Sequence, residues 1–115
     1  MVGFHRAFEA EFAELPFDVQ DSLVAAANVL KVQGPMLGRP HADTLAGSKH
    51  ANMKELRFKA DGGVWRVAFA FDPERRGIIL VAGNKAGIAQ GRFYSGLIAK
   101  ADARFSEHLD LLKGS

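Results

Sequence analysis

Phe4, Phe8, Phe12 and Leu15 recur three to four residues apart, with Glu9, Glu11 and Glu14 between them. That spacing predicts a short amphipathic helix, which Pro16 interrupts. Asp18 then offers an N-cap, and Val19, Leu23, Ala26 and Leu30 form the apolar stripe of a second helix that stops at Gly34-Pro35. The two helices form a helical hairpin. The stretch "LGRPHADTLAGSKHANMKELRF", residues 37–58, is polar at first and then alternates, with Leu56 and Phe58 on one face and Glu55 and Arg57 on the other. Asp61-Gly62-Gly63 is a hairpin turn. "VWRVAFAF" sets Trp65, Val67, Phe69 and Phe71 against Arg66, Ala68 and Ala70. After a second turn led by Asp72-Pro73, "IILVAG" is apolar throughout, as a strand buried on both faces would be.

These segments predict a three-stranded antiparallel meander, with residues 2–4 available as a further short strand. A closing helix runs from about Arg92 to Lys113, with Phe93, Leu97, Ala101, Phe105, Leu109 and Leu112 as its stripe. The expected fold is α+β, a single domain over 1–115. A small, mainly antiparallel sheet carries an N-terminal helical hairpin and a C-terminal helix, with the helices packed on one side.

Composition removes several function classes. The 115-residue chain is 48% hydrophobic and 24% charged, ordinary for a folded domain. It has no cysteine, hence no disulfide framework and no thiolate nucleophile or ligand. The four histidines are scattered without HExxH spacing, so no metal and no cofactor is expected. No apolar run approaches the roughly 20 residues of a membrane span, and "MVGFHRAFEAEF" lacks the pattern of a secretory signal. A cytoplasmic location without membrane attachment follows as the expectation.

Charge is unevenly spread. Residues 1–48 hold three basic and six acidic side chains, a net of −3, whereas residues 49–100 hold ten basic and four acidic, a net of +6. A basic middle on a mildly acidic frame suits a polyanion, and it suits a solvated surface equally well. Arg66 sits mid-strand beside Ala68 and Ala70, which leave room on its face, and Arg57 falls on the neighbouring strand of the hairpin. Two guanidiniums there, oriented by Glu55, would offer forked donors to a phosphate. The bland alternative is a surface cross-strand pair worth well under ~1 kcal/mol. "AGNKAGIAQGRFY", residues 82–94, leads from strand to helix with glycines at 83, 87 and 91 and cations at Lys85 and Arg92. It is anion-friendly, but it is neither a P-loop nor GxGxxG. Tyr94, the only tyrosine, opens the helix and could stack on a base or handle a proton. Lys49 and His50 sit in the polar stretch, read as an ordered loop that carries them to the rim of the basic face.

"LGRPHADTLAGSKHANMKELRF", "WRVAFAFDPERRGIILVAGNKAG" and "RFYSGLIAKADARFSEHL", in this order, resemble the phage-derived HigB-like toxins of the RelE/ParE superfamily. The similarity runs from about residue 3 to 110. The resemblance implies a RelE-like toxin of a type II toxin–antitoxin system, a metal-independent mRNA endoribonuclease working on the ribosome and neutralised by a helix-turn-helix antitoxin. It places the catalytic set at Arg57, Arg66, Lys85 and Tyr94, with Lys49, His50, Lys54 and Arg92 as RNA contacts. Arg57 and Arg66 would hold the phosphate, Lys85 would transfer a proton or stabilise charge, and Tyr94 would stack on a base. A ParE-like gyrase inhibitor and a non-catalytic antitoxin-binding homologue are the rival readings.

Overall fold

The computed structural model describes residues 1–114. In chain order the elements are β1 (Val2–Phe4), α1 (Arg6–Ala13), α2 (Phe17–Gln33), a 3-10 turn (Gly34–Met36), β2 (Ala42–Thr44), β3 (Lys54–Ala60), β4 (Gly63–Phe71), β5 (Gly77–Asn84) and α3 (Gln90–Gly114). The strands form one sheet in the order β1-β5-β4-β3-β2. The expected meander is its centre, antiparallel throughout, and β1 joins β5 in parallel.

The β3–β4 hairpin turns on Asp61 and Gly62, whose φ angles are +51° and +70°. Two consecutive left-handed residues make the type of turn that matches strand twist. Ala60 therefore faces Gly63, and the register carries Arg57 opposite Arg66 and Glu55 opposite Ala68. The polar stretch is ordered, and it contains β2, whose Ala42 pairs with Leu56. Only three residues long, β2 lacks the length that would show as alternation.

Helices cover both faces of the sheet, which corrects the expected one-sided packing. One core joins Phe8, Leu23, Leu30, Leu56, Val67, Phe69 and Ile79 beneath α1 and α2. A second joins Met53, Ala68, Ala70, Leu80, Phe93, Leu97, Ala101 and Phe105 beneath α3. Ala68 and Ala70, expected to leave open space beside Arg66, are small because α3 lies against them. The cap of α2 also differs from expectation. Pro16 occupies the N-cap position, while Asp18 accepts from the Val19 N–H at 2.9 Å and from the Asp61 N–H at 2.8 Å. Asp18 thereby ties the helix to the hairpin turn.

Two polar knots fasten α3. Arg104 donates to both carboxylate oxygens of Glu11, at 2.8 and 2.6 Å, and to the Leu80 carbonyl at 2.8 Å. It spans from α3 to α1 beyond the point where β1 stops pairing with β5. The Arg104 bonds hold the Glu11 carboxyl below its ordinary range, against the opposing effect of burial. Near the other knot, Asp72 is 5% exposed. It accepts from the backbone N–H groups of Glu74 and Arg76 at 2.9 and 3.0 Å, and it pairs with His108 Nε2 at 2.8 Å.

Asp72→Ala would leave those donors unmatched, and denaturant unfolding should show a loss of about 2–3 kcal/mol. Burial pushes the Asp72 carboxyl up, but the bonds from His108, Arg76 and Glu74 outweigh it and hold the group below its ordinary 3.8. A depressed folded-state value stabilises fully above the unfolded one and is lost as pH falls through the folded one. The stability gap between wild type and Asp72→Asn should therefore be constant near neutrality and narrow below pH 3.8.

Candidate functional site

Because Glu55 and Arg57 are two residues apart on β3, their side chains leave the same face, the one that meets α3. The hairpin register adds Arg66 from β4 directly opposite Arg57. Like charges in that relation destabilise a sheet unless something compensates. Glu55 does so from a position only 3% exposed. Arg57 Nε and Nη2 donate to its two oxygens at 3.3 and 3.5 Å. The Tyr94 hydroxyl donates at 2.9 Å, and Arg66 Nε stands 3.7 Å from the same oxygen. One carboxylate thus answers two guanidiniums, and the cluster keeps a net positive charge.

Arg66 is held by rings as well as charge. Its guanidinium lies 5.7 Å from the Tyr94 ring centre and 5.9 Å from that of Phe93, distances at which the π-face attracts a cation. Gly83 sits across from Arg66 on β5, and a Cβ there would come within 2.9 Å of the Phe93 ring. The missing side chain lets Phe93 close on the sheet beside Arg66. Arg66 Nε is buried yet has no hydrogen-bond partner among the described residues. It is a donor left over by the fold.

Clefts open on both sides of this cluster. One, about 350 Å³, is lined by Arg66, Gly63, Val64, Lys85 and Gly87. The other, about 550 Å³, is lined by Glu55, Arg57, Tyr94, Thr44 and Gln90. Lys85 belongs to the connection from β5 to α3, where the Asn84 side chain accepts from the Ala86 N–H at 3.1 Å and shapes the turn. Among the described residues no three His, Asp or Glu side chains gather as metal ligands would.

The structure brings Arg57, Arg66, Lys85 and Tyr94 to one region, and it spreads the four expected RNA contacts. Arg92 is exposed on the first turn of α3, lining a groove with Gly83, Asn84 and Lys100. Lys49 is exposed, and its backbone N–H is held by Asp102 at 3.1 Å. His50 bonds Ser106 at 3.0 Å and sets its ring against Phe105 at 4.9 Å, eleven residues and about 16 Å along α3 from Tyr94. Lys54 leaves the opposite sheet face and donates to the Pro35 carbonyl at 3.0 Å. The loop does carry Lys49 outward, but it packs His50 on the far end of the helix. Sequence reasoning gave Glu55 a supporting part and missed its centrality; its alternation in phase with Arg57 was the available signal. Phe93, read as core, also serves as a wall of the site.

Tyr94 is engaged on its hydroxyl and on its ring. Burial first, and then the bond to Glu55, raise its pKa above the ordinary 10.0. At neutral pH it is a hydrogen-bond donor, not a base.

Residues 10–106 match the family described as Phage derived protein Gp49-like. The chain is 47% identical over 93 residues to "Putative toxin HigB2" of Mycobacterium tuberculosis (strain ATCC 25618 / H37Rv), a match covering 80% of this chain and 46% of that protein. It is 43% identical over 96 residues to "Putative toxin HigB3" of the same organism, covering 84% of this chain and 82% of that one. The chain thus spans less than half of the longer relative. No solved structure gives a significant match.

As the only tyrosine, Tyr94 can be titrated by phenolate absorbance. Its midpoint should lie above 10.0 in the wild type and fall in Glu55→Gln, where the anion that opposes ionisation is gone. An unchanged midpoint would mean that Glu55 does not hold the hydroxyl in solution.

Proposed function

The chain belongs to the phage-derived Gp49-like family, and on that premise we propose that it is the toxin of a type II toxin–antitoxin system and inhibits translation by cutting mRNA as a RelE-like endoribonuclease. One observation carries the reading. Arg57 and Arg66 stand directly opposite each other, share a single carboxylate, and border clefts that also hold Lys85 and Tyr94. A fold that only needed a stable sheet gains nothing from two facing guanidiniums. A phosphodiester completes the balance of charge.

Strand cleavage of this kind uses the RNA's own 2′ oxygen. A base takes the 2′-OH proton, the oxygen attacks the adjacent phosphorus, and the bond to the 5′ oxygen breaks as that oxygen receives a proton. The products are a 2′,3′-cyclic phosphate and a 5′-hydroxyl. Negative charge grows on the non-bridging oxygens in between, and preorganised cations lower the barrier most at that point. The Arg66 guanidinium, held beside two rings, would meet those oxygens, with Arg57 beside it. Lys85, which lines the same cleft as Arg66, supplies proton transfer or charge. Tyr94 acts as donor and as the support of Arg66; a base would stack on it only after displacing one of its present neighbours. Glu55 is a positioning residue. Arg92 and Lys49 are free to meet the RNA backbone, whereas His50 and Lys54 would have to leave their partners to do so.

The partners that follow are mRNA, on the ribosome, and a helix-turn-helix antitoxin whose acidic segment covers the basic face. A ribosome-dependent cut is the form expected of a site too shallow to fix a message unaided.

Purified chain added to a translation reaction should produce new mRNA ends, mapped by primer extension, when ribosomes are present. Arg66→Ala and Lys85→Ala should each lower the cleavage rate by about 10²–10³-fold, with unchanged circular dichroism and melting. Full cleavage by both folded variants would remove this site assignment. Intact message from a folded, toxic wild type would move the activity to another target such as DNA gyrase.

A further inference from the structure

Strand β5 runs on to Asn84, but β1 pairs only with its first residues, Gly77 to Ile79. From Leu80 onward its outer edge has no strand beside it among the described residues. Leu80, Val81, Ala82 and Gly83 carry neither charge nor proline, the usual guards of an open edge. A groove of about 610 Å³ follows this edge. Val81, Phe93 and Leu97 lie buried along it, and Ile88, 43% exposed, borders it. Helix α3 forms the other wall with Arg92, Gly96 and Lys100, spaced one helical turn apart.

Arg92 and Lys100 are exposed, and neither makes an ion pair or hydrogen bond among the described residues. Gly96, between them, is exposed too. A glycine inside a helix weakens it relative to alanine, and a Cβ at Gly96 would meet nothing within 4 Å. Packing of the helix therefore does not require it; what it does is keep the middle of the groove open. One turn beyond Lys100, Arg104 closes the groove. It holds the Glu11 carboxylate at 2.8 and 2.6 Å and the Leu80 carbonyl at 2.8 Å. The chain's own N-terminal segment thus meets this edge in two ways, with a strand on β5 and then a carboxylate on the cationic stripe of α3. Past Leu80 the edge and the stripe both continue, and the described residues supply neither a strand nor a carboxylate to them.

We propose that this groove takes an extended acidic peptide from a protein partner, added to the sheet as a strand beside β5. Eight residues of helix set Arg92 and Lys100 about 12 Å apart along α3, and four residues of strand span about 13 Å. Carboxylates at positions i and i+4 of the added strand therefore reach the two cations. An apolar side chain at i+2, on the same face, falls over Gly96 onto Phe93 and Leu97. Backbone pairing gives affinity, and the acidic–apolar–acidic spacing gives selectivity. Single-stranded RNA would meet the cations but leave the strand edge unpaired. Arg92 is shared with the RNA contacts above, yet the groove does not rest on that reading.

The probe is a capped, labelled peptide, Thr-Glu-Thr-Val-Thr-Glu-Thr, titrated into the full chain and followed by fluorescence anisotropy. It should bind, and amide hydrogen exchange should slow within residues 81–84. Methylating alternate backbone nitrogens of the peptide, in each of the two phases, should abolish binding in the phase that faces β5. Lys100→Glu should weaken binding about tenfold or more. A peptide with lysine at one of its glutamate positions should recover binding to that variant, which separates lost charge from lost fold. Gly96→Leu should keep or raise helix stability yet weaken the peptide, because the new side chain fills the middle of the groove. A wild-type chain that binds no peptide up to ~1 mM overturns the proposal. So does binding that survives methylation in both phases, which would make the groove a site for charge alone. A single-stranded RNA oligonucleotide that binds through Lys100 while the peptide does not also overturns it.

Discussion

The register of one hairpin decides most of this molecule. Asp61 and Gly62 both sit at positive φ, and the two-residue turn they form leaves β3 and β4 only one way to pair. A slip of one residue would turn every side chain to the other face. Leu56, Val67 and Phe69 would leave the core under α1 and α2, and Arg57 and Arg66 would enter it. The apolar sets on the two faces and the turn chemistry agree on the same register. That agreement is what makes the pairing of two arginines tolerable.

Tolerable does not mean favourable. A fold assembled for stability would set opposite charges, or none, at facing positions. Here a carboxylate at 3% exposure takes a bidentate Arg57, a tyrosine hydroxyl and the approach of Arg66. A buried anion with several donors is held firmly, and removing it would strand two cations. Compensation still falls one charge short, and Arg66 Nε, 3.7 Å from the Glu55 carboxylate, makes no hydrogen bond among the described residues. Deficits of this kind gather at functional or strained positions.

Much of this was legible in the sequence, and what was missed has physical causes. The meander, the close of α2 at Gly34 and the long C-terminal helix all follow from periodicity and turn residues, whereas residues 2–4 offered only a further short strand, and its parallel pairing with β5 left no mark in the pattern. The side on which α3 packs does not. Ala68 and Ala70 fit both an open face and one pressed by a helix, because small residues satisfy either. The three residues of β2 are too few to alternate, and their strand exists only because β3 is there to pair. Within the site, Arg57, Arg66, Lys85 and Tyr94 stood out as cations and an aromatic in unusual settings. Glu55 looked like an ordinary member of a cross-strand pair, since its burial depends on Tyr94, thirty-nine residues away along the chain. His50 could not be placed for the same reason: its neighbours Phe105 and Ser106 come from a helix whose packing face was unknown.

The site is therefore not mounted on a finished core; it is one end of that core. Phe93 is 8% exposed, packs with Leu97 and Ala101, and also faces the Arg66 guanidinium. It reaches that position because Gly83 has no side chain. A methyl group at Gly83 would push the ring away, loosen the helix against β5 and release Arg66 in one movement. Changes there should couple stability to the geometry of the cation cluster. Lys85, on a connection outside the core, can be altered with little effect on packing. Two kinds of residue thus build one basic face: those fixed by burial, which set where charge stands, and those on the loop, which set what the charge can reach.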